Sequence, residues 1–388
     1  MRFSTIFLAA LPLVAASPVA KRAPLHIRDD ENAIPGKYIV KMKSGARIAS
    51  AGGMEAAIDG IAADPDQLFE KFGGFAASIT DDEIESLRDN PDVEYIEQDS
   101  IARIYATQTG APWGLARLSS KSTGSTTYTY DDAAGEGTCV YIVDTGIDTT
   151  HAEFQGRATF VATYVDGITI DDHGHGTHCA GTVGSKTYGV SKKASLYGIK
   201  IFDKGGYGTK SLMITGMERV IQDAPSRSCP NGVAVSMSFG DTFSQAVNDA
   251  AAALNDAGYF AVVAAGNGDY FGNPEDASGS SPASEPSICT VGATDKNDRT
   301  ASFSNYGKLV DIYAAGVDVK STWPGGRTNT LSGTSMATPH IAGLGAYFMS
   351  LGRPASGMCD YLKSIALKGV ISGVPSGTAN VLAQNGKA

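Results

Sequence analysis

Charge is scarce in this sequence, and cysteine scarcer still. Charged residues occupy 19% of 388 positions, and 41 acidic side chains against 31 basic ones give a formal charge of −10. No basic cluster offsets that balance, so the electrostatic footprint of a nucleic-acid or anionic-membrane binder is missing. No apolar run reaches the roughly 20 residues that a membrane-spanning helix needs. Asn-X-Ser/Thr does not occur, and N-glycosylation is not expected. None of the five cysteines precedes Cys139, which sets the first part of the chain apart. What remains, 46 glycines and 42% hydrophobic residues in a chain long enough for a full core, excludes a disordered tail or a coiled coil.

The N-terminus carries one Arg, then the apolar run Phe7 to Val14, then the small residues Ala15 and Ala16. That is the pattern of a secretory signal peptide over residues 1–16, and it predicts a secreted, extracellular product. Export means an oxidising medium in which cysteines pair, and an odd number leaves a thiol.

Residues 17–105 have a net charge of −7 and residues 106–388 a net charge of −4. The first piece alternates as a strand over Lys37 to Met42 and Val93 to Glu97, with a helical pattern from Asp82 to Arg88, which predicts a small α+β domain. The second piece alternates short apolar runs (Cys139 to Val143, Leu196 to Ile201, Val233 to Met237, Phe260 to Ala264) with helical stretches at Ser211 to Asp223 and Gln245 to Ala257. Strands separated by helices predict an α/β fold, a parallel sheet covered on both faces, with functional residues at the carboxyl ends of its strands.

Three short segments could carry chemistry. Val140 to Gly146 ends an apolar strand in Asp144-Thr145-Gly146; an Asp in that place is ordinarily a turn or cap residue. Asp172 to Gly181 contains His173, His175 and His178. Their spacing is not the two-histidine, one-glutamate helix pattern of zinc proteases, so an imidazole at the start of a helix is the better reading than a metal site. Ser332 to His340 places Ser335 ahead of Pro339, which fits only the early turns of a helix; Ser335 therefore stands at or near an N-terminus whose dipole favours negative charge. Together they supply a carboxylate, an imidazole and a hydroxyl in the order Asp, His, Ser, which differs from the chymotrypsin and α/β-hydrolase orders.

Asp-Thr-Gly, His-Gly-Thr-His and Gly-Thr-Ser-Met-Ala-Thr-Pro-His are the three motifs of subtilisin-like serine proteases, and on them the chain resembles that family. Ala106 to Arg117 is similar to the mature start of the fungal proteinase K group, and the likeness runs to the C-terminus. Residues 17–105 resemble its propeptide, an inhibitor and folding chaperone.

The resemblance implies a three-layer subtilisin-like peptidase domain over residues 106–388, with Ser335 as nucleophile, His175 as general base and Asp144 as its orienting carboxylate. Asn267, after the strand ending Ala264-Ala265-Gly266, is implied as the oxyanion donor. Gly206-Tyr207-Gly208 and Ser238-Phe239-Gly240 are implied as two strands that sandwich an extended peptide substrate. The S1 pocket between Ser238 to Gly240 and Ala264 to Gly266 is expected to have small, uncharged walls and to take a large apolar or aromatic P1 residue. Tyr105, at the expected processing junction, would be such a residue. A catalytically silent relative that acts as a binding protein would lack a triad member, and none is missing.

Family likeness also pairs Cys139 with Cys229 and Cys289 with Cys359. Cys179 is left as a free thiol beside His175, a target for mercurials. One structural calcium site is implied at Asp311 with the carbonyls of Pro286 and Ile288. A second family site is expected to be missing where Val370 stands. No catalytic metal is expected, and the implied partners are protein substrates and the chain's own propeptide, the enzyme being a monomer. The segment from Asn267 to Pro282 is longer than the family pattern.

Overall fold

The computed structural model describes residues 22–27, 33–44, 53–101, 105–165 and 167–388; the expected signal segment lies outside the described residues. Contacts divide the chain into two compact units, Met1–Arg103 and Ile104–Ala388.

The first unit contains strands β1 (Leu25–His26), β2 (Ala33–Met42), β3 (Gln67–Phe69), β4 (Gly74–Ser78) and β5 (Val93–Ser100) in the order β1-β5-β2-β4-β3. Helices α1 (Gly53–Ile58) and α2 (Asp81–Asp89) accompany it. Alternation in β2 buries Tyr38, Val40 and Met42 with Phe75, Ile96, Ile84 and Leu87 in one core. A capping box starts α2: Thr80 accepts from the Glu83 N–H, and Glu83 accepts in return from the Thr80 N–H. The α+β expectation for this segment is met.

The second unit opens with the antiparallel hairpin β6 (Tyr105–Thr109) and β7 (Thr127–Asp131), with α3 (Trp113–Leu118) between them. Its main sheet follows through β8 (Cys139–Asp144), β9 (Ala158–Thr163), α4 (His175–Gly184), β10 (Ser195–Lys200), α5 (Lys210–Asp223), β11 (Val233–Met237), β12 (Asp241–Thr242), α6 (Gln245–Asp256), β13 (Phe260–Ala264), β14 (Ser280–Ser281), β15 (Cys289–Thr294) and β16 (Ile312–Ala315). The hairpin β17 (Val319–Trp323) and β18 (Arg327–Leu331), helices α7 (Thr334–Ser350) and α8 (Met358–Ile365), and the short β19 (Leu367–Lys368) and β20 (Val381–Leu382) complete it.

The sheet order is β19-β20-β16-β15-β13-β11-β8-β10-β9, parallel throughout except for β19 at one edge. Strand β8 shows why both faces need cover. Val140 and Ile142 join a core with Cys179, Ala180 and Val183 of α4 and Ile341 and Leu344 of α7. Tyr141 and Val143 join another with Met213, Met217 and Val220 of α5 and Val247 and Leu254 of α6. With a side-chain period of two, an all-apolar strand must face two apolar layers. Disulfides Cys139–Cys229 and Cys289–Cys359 join the chain as expected, and Cys179 is a buried free thiol.

Candidate active site

The three motifs meet at the carboxyl ends of the central strands. Asp144 is the last residue of β8, and its side chain is 1% exposed. His175 is the first residue of α4 and turns Nδ1 to that carboxylate, 2.8 Å from Oδ1 and 2.9 Å from Oδ2. Glycine makes this approach possible: a Cβ on Gly176 would lie 2.1 Å from the Gly146 carbonyl oxygen. Burial disfavours the imidazolium, but the charge of Asp144, its hydrogen bond and the neighbouring Cys179 together outweigh that, and His175 is held well above the ordinary histidine value.

Ser335 is the second residue of α7, whose N-cap is Gly333, and Pro339 stands in the early turns as anticipated. Its hydroxyl donates to the Ser238 carbonyl at 2.9 Å. Ser238, expected to grip substrate, thus serves the nucleophile: its own hydroxyl donates to the Ser335 carbonyl at 2.8 Å. Cys179 links the two halves of the site, with Sγ 3.9 Å from His175 Nδ1 and 3.5 Å from the Ser335 carbonyl oxygen. Burial pushes that thiol up, away from the thiolate a nucleophile needs.

Asn267 has its amide orientation fixed by Thr334. The Thr334 N–H and hydroxyl both donate to Asn267 Oδ1, at 2.8 and 2.9 Å, which leaves Nδ2 as the outward donor. A Cβ placed on Gly333 would lie 3.5 Å from Asn267 Nδ2 and 3.6 Å from the Ser335 N–H nitrogen. The absent side chain keeps open the space that two donors share, where an oxyanion can sit.

Phe239, Gly240, Ala264, Gly266, Asn267 and Ser335 line one cavity of about 350 Å³. Asp241, Asp269 and Glu275 also line it, so the cavity as a whole does not have the uncharged walls that were expected. Ala265 is fully buried and donates its N–H to the Val291 carbonyl in the sheet. Gly206 lies on the histidine side, where an added Cβ would be 3.4 Å from His173 Nε2. Tyr207 is 78% exposed, and Asp203 Oδ1 accepts from the N–H groups of Gly205 and Tyr207. Neither Gly206 to Gly208 nor Ser238 to Gly240 is a strand by itself.

The other two histidines of the motif segment make contacts within the chain. His178 is buried with Nε2 on the Val319 carbonyl, and desolvation lowers its pKa to about 4. His173 uses Nδ1 to accept the His175 N–H at 3.3 Å.

Sequence reasoning overlooked a buried polar scaffold behind the pair. Asp171, 4% exposed, accepts at Oδ1 from Thr145 Oγ1 and from the N–H groups of His173 and Gly174. Its Oδ2 accepts from the N–H and hydroxyl of Thr177. Thr145 follows Asp144 and accepts the Gly176 N–H, so one carboxylate ties the end of β8 to the start of α4. Lys200, paired with Asp144 across β10 and β8, is fully buried and donates to Asp172 Oδ1 at 2.6 Å and to the Thr145 and Phe202 carbonyls. The available signal was an acidic residue just ahead of a helix start.

One of the expected calcium ligands already has partners within the chain. Pro286, Ile288 and Asp311 line one cavity of about 300 Å³. However, the Asp311 carboxylate already accepts from Lys363 Nζ at Oδ1 and from the Thr290 N–H at Oδ2, each at 3.0 Å. A cationic side chain holds the expected ligand, so the set as folded does not fit a divalent ion.

Comparison with known proteins agrees with this geometry. Residues 135–369 match the model of the subtilase family, and residues 37–105 that of the peptidase inhibitor I9 family. The chain is 53% identical to a cuticle-degrading protease of Metarhizium anisopliae over 391 residues, covering 98% of each chain. It is 51% identical to proteinase R of Parengyodontium album over 394 residues, covering 99% of each. A solved structure of a cold adapted subtilisin-like serine proteinase matches with a TM-score of 0.66 and 35% identity, over 71% of this chain and 99% of that one. The chain belongs to the subtilase family, a serine endopeptidase preceded by an inhibitor domain of the I9 type.

Proposed function

We propose that the chain is a secreted, self-processing, monomeric endopeptidase that cleaves proteins after large apolar or aromatic residues through Asp144, His175 and Ser335. The observation that carries this reading is the buried, two-oxygen contact of Asp144 with His175 Nδ1, which leaves Nε2 as the proton acceptor.

In this mechanism the Ser335 hydroxyl turns from the Ser238 carbonyl toward His175, gives up its proton to Nε2 and attacks the scissile carbonyl. Asp144 stabilises the imidazolium that results, and Asn267 Nδ2 and the Ser335 N–H hold the oxyanion. His175 then protonates the leaving amine. Water attacks the acyl-enzyme with His175 again as base, which releases the acid and restores the hydroxyl. No step uses a metal.

The small residues Gly240, Ala264 and Gly266 among the walls support a preference for a bulky apolar P1 side chain. Processing after Tyr105 would satisfy the same pocket. Tyr105 pairs with Asp131 and Ala106 with Tyr130 in the β6–β7 hairpin, so self-cleavage requires β6 to leave β7. A chromogenic peptide with P1 Phe is expected to be hydrolysed, and a serine-directed sulfonyl fluoride to abolish turnover. Intact mass should place the mature N-terminus at Ala106, and a Ser335→Ala variant expressed alone should remain unprocessed. Correctly matured protein that turns over no peptide would favour the silent binding protein instead.

A further inference from the structure

Around Asp311 the chain supplies a cation of its own. Helix α8 carries Cys359 and Lys363 four residues apart, on one face. Cys359 is bonded to Cys289, which stands between Ile288 and Thr290. The Thr290 N–H donates to Asp311 Oδ2 at 3.0 Å. The covalent bond therefore fastens the helix next to the carboxylate and delivers the Lys363 ammonium to its other oxygen, 3.0 Å from Oδ1. Asp360 Oδ1 stands 2.8 Å from the same nitrogen.

We infer that Lys363 is a tethered cation that takes the place of calcium at Asp311, and that this locus accepts calcium only when the ammonium is removed. Two carboxylates and one ammonium leave a single negative charge. Without the ammonium, the Asp311 and Asp360 carboxylates, in a cavity that Pro286 and Ile288 also line, would leave the hard, doubly negative oxygen set that suits Ca²⁺. Competition favours the tether. The ammonium is carried on the same helix as the disulfide and is not lost on dilution, whereas an extracellular calcium module fills only where calcium reaches about 10⁻⁴ to 10⁻³ M. An ammonium with three donors can also serve both carboxylates at once.

Thermal unfolding of the mature protein, blocked at Ser335 to prevent autolysis, tests this in EDTA and in excess calcium. Wild type is expected to melt at the same temperature in both. Lys363→Met and the polar, uncharged Lys363→Gln are expected to melt about 2 to 4 °C lower in EDTA, and calcium should restore the loss. A calcium response no larger in the two variants than in wild type overturns the inference. Should neither variant be secreted, calorimetric titration of calcium into wild type and Asp311→Asn decides. Binding heat that Asp311→Asn removes overturns the inference, and its absence supports it.

Discussion

His175 and Asp171 carry the most chemical weight for their size. Only a neutral imidazole can accept the Ser335 proton, and the Asp144 charge raises the His175 pKa. Turnover is therefore expected to rise along a limb above the ordinary histidine value of about 6.5, giving a neutral to alkaline optimum in a pH–rate profile. Asp144→Asn should move that limb down and cost roughly 10⁴ in kcat, as loss of the orienting carboxylate does in such triads. The linked stability runs in the opposite direction to activity. A raised folded-state pKa stabilises fully below the unfolded value of about 6.5 and fades as pH rises through the folded one. Asp171 acts on this pair from behind. Asp171→Asn replaces an acceptor of five hydrogen bonds with a group that must donate at one end. A misplaced imidazole should then lower kcat by about 10² with KM nearly unchanged. A downward shift of the acid limb in the same profile would distinguish positioning from simple loss of folded enzyme.

Helix α4 brings several of these groups together, and its tolerance for change is correspondingly small. Gly176→Ala places a methyl group against the Gly146 carbonyl oxygen, so the first turn must move away from β8. A loss of stability of about 1 to 3 kcal/mol is expected in denaturant unfolding, with a larger proportional loss of turnover. One turn further on, Cys179 lies between His175 and the Ser335 backbone. A mercurial bound there should crowd the imidazole and inhibit, whereas Cys179→Ala should keep activity and resist the reagent; inhibition that survives the substitution would exclude this thiol. The extended loop after Asn267 behaves differently. Asp269 accepts from the N–H groups of Phe271 and Asn273 and ties the loop to itself, while Tyr270 and Phe271 are 98% and 84% exposed. Replacing both rings with Ser is expected to change stability by no more than about 0.5 kcal/mol, since neither is buried.

Across the whole peptidase unit, covalent links supplement two hydrophobic layers. Cys139 starts the strand that ends in Asp144, and its bridge to Cys229 closes a loop of sequence separation 90. Removing that bridge is expected to cost about 2 to 5 kcal/mol, read from the denaturant midpoint of inhibited enzyme. Much of this architecture could be read from local pattern. The runs at Val233 to Met237 and Phe260 to Ala264 are strands over those same residues, because an unbroken apolar run of that length suits a strand covered on both faces. Ser335 falls at a helix start just after Gly333, with Pro339 inside the second turn of the same helix. The triad's residue types and order are likewise local properties of three short motifs. Other features depend on distant segments meeting in space. Asp171 looks like an ordinary loop acid until β8 and α4 converge on it. Ser238, expected to contact substrate, also meets α7, which engages its hydroxyl and its carbonyl. Asp311 has the chemistry of a calcium ligand, yet its partner was decided 52 residues later, where a disulfide swings Lys363 onto it. Sequence order determines which groups are available and which backbone shapes they favour; a carboxylate's counter-charge is set by whatever lies within a few ångströms, and only packing fixes that.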